Sequence, residues 1–193
     1  MFRRDLLQSL RKNRSGIAAV EFALVLPLLL IMWFGMEQFS EYATADAKTL
    51  MAAQSVSDMV AQIGSWQTGQ FNDIVSAATQ IMAPLPTSNV LTVDVVGVGY
   101  DANNAPTLSS QFGGWRCTSS GGPAADATVP LSLANGLGVN GQTIIMVTVK
   151  YAFVPSMTFD MLGSSVLGAL GAQTLSERAF NRPRLGLQIA KPC

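Results

Sequence analysis

Gly16-Ile17-Ala18-Ala19-Val20-Glu21-Phe22-Ala23-Leu24-Val25-Leu26-Pro27-Leu28-Leu29-Leu30 opens an apolar run that continues to Met36 and holds a single acid, Glu21. As a helix, Ile17 to Met36 rises about 30 Å, the thickness of a bilayer's hydrocarbon core, so the run is long enough to span a membrane once. A carboxylate inside such a span costs about 2.5–3.5 kcal/mol on insertion scales and therefore needs a partner or a purpose. Proteolysis can make the partner. A cut between Gly16 and Ile17 would give Ile17 a new α-amino group one helical turn before Glu21, within reach of pairing in the same chain or in a neighbour.

The flanks of the run set its direction. Arg3, Arg4, Arg11, Lys12 and Arg14 precede it, against one acid, Asp5, while Glu37 and Glu41 follow it. Basic residues on the leading side place the N-terminus in the cytoplasm and the rest of the chain outside. The chain's 12 basic and 12 acidic side chains balance to zero, but loss of residues 1–16 would leave a net charge of −4. Such a remainder lacks the clustered Lys and Arg that hold nucleic acid phosphates, so no nucleic acid partner is expected. Two other readings of the run stay open. One is an uncleaved anchor; the other is a conventional signal peptide cut near Ala43-Thr44-Ala45, although that site lies well past Met36 and leaves Glu21 unexplained.

A short basic leader ending in Gly, followed by an apolar helix with Glu at its fifth position, resembles the processing signal of type IV-like prepilins. The stretch from Gly16 to Leu30 is similar to the N-terminal signature of the TadE-like family, minor pilin-like (pseudopilin) proteins of the bacterial tight-adherence (Tad/Flp) pilus system. Thr143 to Phe153, Met161 to Leu170 and Leu175 to Arg184 resemble that family less specifically. The resemblance implies a prepilin peptidase that cuts after Gly16, and an inner-membrane protein with one span and a periplasmic head. It further implies partners among the other Tad pilus subunits, the inner-membrane assembly proteins and membrane lipid. Glu21 would pair with an Ile17 amine during assembly, with Phe22 and Pro27 on the same assembly segment.

Beyond the span, Glu37 to Ile63 contains neither Pro nor Gly and is rich in helix formers, so a helix is expected from Ile17 to Ile63. Leu50, Ala53, Val56, Val60 and Ile63 recur at three- and four-residue intervals and predict one apolar stripe, opposite Asp46, Lys48, Gln54 and Asp58. Pro27 inside the helix removes a backbone hydrogen bond and predicts a kink. Gly64 to Gly69 ends the helix. Phe71, Ile74, Val75, Ala78, Ile81 and Met82 then mark a short second amphipathic helix, stopped by Pro84 and Pro86.

Strands are expected at Val90 to Tyr100 and at Thr143 to Phe153, where Ile145, Val147, Val149, Tyr151 and Phe153 alternate onto one face. Weaker strands are expected near Gly114 to Thr118 and Gln173 to Phe180. The fold class is therefore α+β: a long N-terminal transmembrane helix continuing into a pilin-like head, in which a short second helix packs on a small antiparallel sheet. The divisions are a basic leader over 1–16, a span over 17–36, a periplasmic continuation over 37–63 and the head over 64–193. Ser119 to Gly141, with Gly121-Gly122-Pro123, Asn135-Gly136 and Asn140-Gly141, reads as a long loop and a place to look for a partner contact or merely as a variable loop.

The chain has no His, which removes Ser-His-Asp and Cys-His machinery and imidazole metal sites. Asp94, Asp101, Asp126, Asp160 and Glu177 are acids with no spacing that pairs them, and are expected on solvated loops and strand edges. Gly97-Val98-Gly99 and Gly168-Ala169-Leu170-Gly171 lack the spacing of a phosphate loop, and glycine within a strand more often marks a close packing approach. No cofactor, metal or catalytic residue is expected. Trp66 and Trp115 are expected in a core. Cys117 and Cys193 fall in the compartment that permits disulfides, so a bond between them is expected, with free thiols or a link from Cys193 to another chain as alternatives.

The function expected from these features is structural: a minor pilin-like subunit in pilus assembly. An uncleaved inner-membrane scaffold and a secreted or tip adhesin are the alternatives.

Overall fold

A computed structural model describes residues 15–67, 69–88, 90–155, 172–188 and 193. The basic leader through Arg14, the apolar stretch Met161 to Leu170, Asp160 and the glycine cluster Gly168 to Gly171 lie outside the described residues. The chain divides into two compact units, Met1–Glu41 and Tyr42–Cys193. It is an α+β protein with a long N-terminal apolar helix, a short second helix and a small antiparallel sheet.

In the first unit the described residues are helical. They belong to α1, Ser15–Ala61, with Pro27 inside it. The side chains from Ile17 to Met32 point outward all round the helix, and none of its most apolar stretch is buried. A helix apolar on every side has no solvated face, which is the pattern of a membrane span and not of an amphipathic surface helix. Just past this stretch Trp33 and Phe34 stack, with ring centroids 6.2 Å apart.

In the second unit α1 buries Ala45, Thr49, Ala52, Ala53, Val56 and Val60. The expected stripe is right at Ala53, Val56 and Val60 and wrong at Leu50, which is 38% exposed. Small side chains occupy the contact because a helix seated closely on a packed core has room for methyl and propyl groups, and Leu50 falls to one side of that line. Thr49 satisfies its buried hydroxyl by donating to the Ala45 carbonyl at 2.7 Å.

The helix ends at Ala61 and not Ile63. Gln62 and Ile63 turn back with i→i−3 bonds of 3.2 Å each, and Arg184 N–H donates to the Ala61 carbonyl at 2.8 Å, so the last carbonyls are satisfied without a further turn.

Helix α2, Gln70–Met82, buries Phe71, Ile74, Ala78 and Met82. Lys48, expected on the solvated side of α1, instead donates to the carbonyls of Ile81 (3.4 Å) and Ala83 at the C-terminal end of α2. A cation there meets the negative end of the helix dipole.

The sheet comprises β1 (Leu91–Tyr100), β2 (Pro106–Thr107), β3 (Trp115–Thr118), β4 (Thr143–Phe153) and β5 (Gln173–Asn181). Its order is β2-β1-β4-β5, all antiparallel, with β3 also beside β1. Leu91, Val93, Val95, Ile145, Val147, Val149, Tyr151, Phe153 and Leu175 join the helices in the main core. The alternation expected in β4 is therefore observed residue for residue.

Gly97 lies opposite Trp115, and a Cβ on it would come within 2.4 Å of the indole, so the glycine is there to let the ring lie across the strand. Trp115 is buried and meets the half-buried Trp66 edge to face at 6.4 Å.

The reverse face of the sheet is also covered. Val96, Val98 and Met146 pack with Ala134, Val129 and Leu131 in a second, smaller core. The segment Ser119 to Gly141, expected as a long loop, therefore supplies part of the interior. Tyr100, fully buried, donates its hydroxyl to the Ala134 carbonyl at 2.7 Å and pins the segment to β1.

Ala53 and Leu50 separate the observed helix contact from the expected one. Ala53→Leu should destabilise the detergent-solubilised full chain by about 1–3 kcal/mol through overpacking, whereas Leu50→Ala should stay within about 0.5 kcal/mol. Denaturant unfolding followed by tryptophan fluorescence reads both, and equal effects would contradict the packing described.

Candidate functional site

Gly16, Ile17, Glu21, Phe22 and Pro27 all lie on α1. Ile17 and Phe22 are 59% and 60% exposed, and Glu21 is exposed as well. Ile17 and Glu21 stand four residues apart, one turn along the same helix face. Their apolar surroundings on α1 are equally uncovered, so the segment presents a lipid-compatible surface with one carboxylate set in it.

Cys117 and Cys193 form a disulfide with a Cα–Cα separation of 5.9 Å. Cys117 is on β3, so the bond ties Cys193 to the sheet. Closing a span of 76 residues contributes about 4–5 kcal/mol in the chain-entropy picture, an upper figure.

The sequence did not bring the acids and bases of the head together; the sheet does. Residues opposite one another in an antiparallel ladder share a face, and Thr118, Asp94, Thr148 and Arg178 form one row across four strands. Lys150, one step along β4, and Arg116, one step along β3, project from the same reverse face.

Asp94 is buried, which corrects its expected place on a solvated edge. Its two oxygens accept Arg116 Nε and Nη2, both at 2.9 Å, and Thr118 Oγ1 donates at 2.7 Å. This bidentate fork satisfies a carboxylate that would otherwise be too costly to bury. Arg116 Nη2 reaches on to the Asp126 carbonyl at 2.8 Å.

Asp126 comes from the Ser119 to Gly141 segment and is likewise no free loop acid. It accepts Lys150 Nζ at 2.7 Å and Arg178 Nη2 at 2.8 Å, one on each oxygen. Those bonds, Lys150 first and Arg178 second, hold its carboxyl below the ordinary Asp range against the opposing effect of burial. Lys150 also donates to the Ala124 carbonyl at 2.8 Å. The network thus fastens the segment to β1, β3, β4 and β5 at once.

The one cue to this network in the sequence was Asp94 inside Leu91-Thr92-Val93-Asp94-Val95-Val96, a charge in an otherwise apolar strand that demands a cation. Its partners could not be named, because Arg116, Lys150 and Arg178 become neighbours only through strand order.

Asp101 is a turn residue: its Oδ1 accepts the N–H groups of Asn103 (2.8 Å) and Ala105 (2.9 Å).

The protein combines an α+β head closed by a disulfide with an N-terminal apolar helix long enough to cross a membrane, compatible with a single-pass membrane protein. Residues 16–62 match the family described as TadE-like protein. The match begins at Gly16 and covers α1 to its end, so this segment of the chain is TadE-like and points to association with the Tad pilus and its other components. No curated protein and no solved structure matches the chain.

Two measurements test the head. The stability that Asp126 contributes should be complete above the ordinary Asp value of 3.8 and fall as the pH drops through its lower folded value. Asp126→Asn should flatten that part of the pH–stability curve, and an unchanged acid limb would mean that the clamp does not contribute. Replacing both Cys117 and Cys193 by Ala should cost up to about 4–5 kcal/mol in denaturant unfolding; a loss under about 1 kcal/mol would reject the cross-link as a stabilising element.

Proposed function

We propose that this protein is a minor pilin-like structural subunit of a Tad/Flp pilus, cut after Gly16 by a prepilin peptidase and held in the bacterial inner membrane with its head in the periplasm. The observation that carries this reading is the family match starting at Gly16 on a helix whose stretch from Ile17 to Met32 is exposed on every side and holds one acid, Glu21. Such a helix suits lipid before assembly and the helices of other subunits afterwards.

The physical role of Glu21 follows from desolvation. In the bilayer its carboxylate is costly. An α-amino group on Ile17, one turn earlier in its own chain or at matching height in a neighbour, offsets that cost by a charge-assisted bond. Where the pair forms between neighbouring chains, it requires their helices to align and so also sets axial register. The role is one of assembly and not of catalysis.

The test is the N-terminus of the protein from native membranes and from sheared pili, read by intact mass and terminal sequencing. A start at Ile17 is expected. A start at Met1 would make the protein an uncleaved scaffold of the pilus machine, and one near Asp46 a secreted module of the adhesin kind; either removes the Ile17 amine. Glu21→Ala should be cleaved normally yet fail to support piliation, and normal piliation would reject the pairing role.

A further inference from the structure

The two edges of the sheet are unlike. One is broken into short pieces, since β2 and β3 share the flank of β1 at different heights. The other is β5, with nine residues, Gln173–Asn181, and β4 as its one strand neighbour among the described residues.

The phase of the ladder tells which backbone groups of β5 lie on the open side. Ala152 N–H donates to the Val90 carbonyl at 2.8 Å, so the even-numbered residues of β4 bond toward β1. Its odd-numbered residues then bond toward β5, where they stand opposite Gln173, Leu175, Glu177, Ala179 and Asn181. The N–H and C=O groups of Thr174, Ser176, Arg178 and Phe180 consequently face away from the sheet. Thr174, Ser176 and Phe180 are also exposed at the side chain.

A row of outward backbone donors and acceptors at strand spacing is matched by another extended backbone. Beside the C-terminal end of β5, Leu137, Ile144, Phe180, Asn181 and Arg182 line a groove of about 350 Å³. Such a pocket next to an open edge can receive one side chain of an added strand, supplying specificity where the backbone supplies affinity.

Charge decides the occupant. A second copy pairing antiparallel over the whole of β5 would set Glu177 against Glu177, and a slide of one step toward Asn181 would set Arg178 against Arg178. Like charges directly opposite are destabilising. A slide toward Gln173 avoids both, but leaves Phe180 and the groove outside the pairing, and a slide of two steps toward Asn181 avoids both but pairs only Glu177 to Asn181, about half of the strand. Among the described residues Glu177 has no ion-pair partner, whereas Arg178 is already held by Asp126.

We infer that the β5 edge is a docking site for an extended segment of a different polypeptide. That segment adds as a strand, carries a basic residue opposite Glu177 and places an apolar side chain in the groove beside Phe180. The surface belongs to the second unit and does not depend on whether Gly16 is a cleavage site.

The full chain in detergent micelles tests this with two measurements. Hydrogen exchange should find the amides of Thr174, Ser176, Arg178 and Phe180 fast, and those of Leu175, Glu177 and Ala179 slow. The binding probe is a capped nine-residue peptide alternating threonine and valine with lysine at its centre, compared with a twin carrying glutamate there. The lysine peptide should bind about five-fold more tightly, and Glu177→Lys should reverse the preference. Ser176→Pro, which deletes one outward N–H and leaves the β4 bonds, should abolish binding that Ser176→Ala retains. Slow exchange at all seven amides in the monomeric chain would overturn the proposal, because the chain would then cover its own edge. So would self-association lost in Ser176→Pro, or peptide binding that ignores the charge at position 177.

Discussion

Burial of β1 on both faces is the constraint on which the head depends. Every residue from Leu91 to Tyr100 is buried, so the strand must be flanked by neighbours and covered by two layers. One layer is helical, α1 and α2 over Val93, Val95 and Leu91. The other is the Ser119 to Gly141 segment over Val96 and Val98. A segment without regular strands can serve as a layer only if its backbone polar groups find partners. The bonds to its carbonyls from Arg116, Lys150 and Tyr100, and to the Asp126 carboxylate from Lys150 and Arg178, supply them.

The same constraint explains why charge sits where an apolar residue would be expected. Toward Val98 the reverse face is apolar and packs as an ordinary core. Toward Thr92 it carries Asp94, Thr148, Lys150 and Arg178, and the covering layer is held by ionic hydrogen bonds instead. A buried, hydrogen-bonded ion pair adds little net stability over an apolar substitute. What it adds here is position: Asp94 orients Arg116, and Arg116 and Lys150 fix the carbonyls of the residues around Asp126.

The two units meet opposite solvent problems. In the second, large side chains turn inward, and the small residues of α1 allow a close helix contact. In the first, Ile17 to Met32 turn outward on every side. That surface is stable only when something apolar surrounds it, and both a bilayer and a packed array of like helices meet the requirement. The TadE-like match over residues 16–62 falls on the helix that faces this problem.

Periodicity and composition alone determined the apolar run with Glu21, the second helix, and β4 with its inward-facing residues, because each is a local pattern whose period is set by backbone geometry. They also placed β1, β3 and β5 within a residue or two and pointed to the Cys117–Cys193 bond through the compartment. Tertiary structure decided the rest. Leu50 yielded its place to Ala52 and Thr49 because the helix's rotation about its axis is fixed by what it packs against. Lys48 became a cap for α2, and the long loop Ser119 to Gly141 became a layer of the core. Asp94 and Asp126 found Arg116, Lys150 and Arg178 across up to four strands. Local sequence carries the period of an element, but not its partner: strand order and the packing of distant side chains are properties of the whole chain's lowest free-energy arrangement.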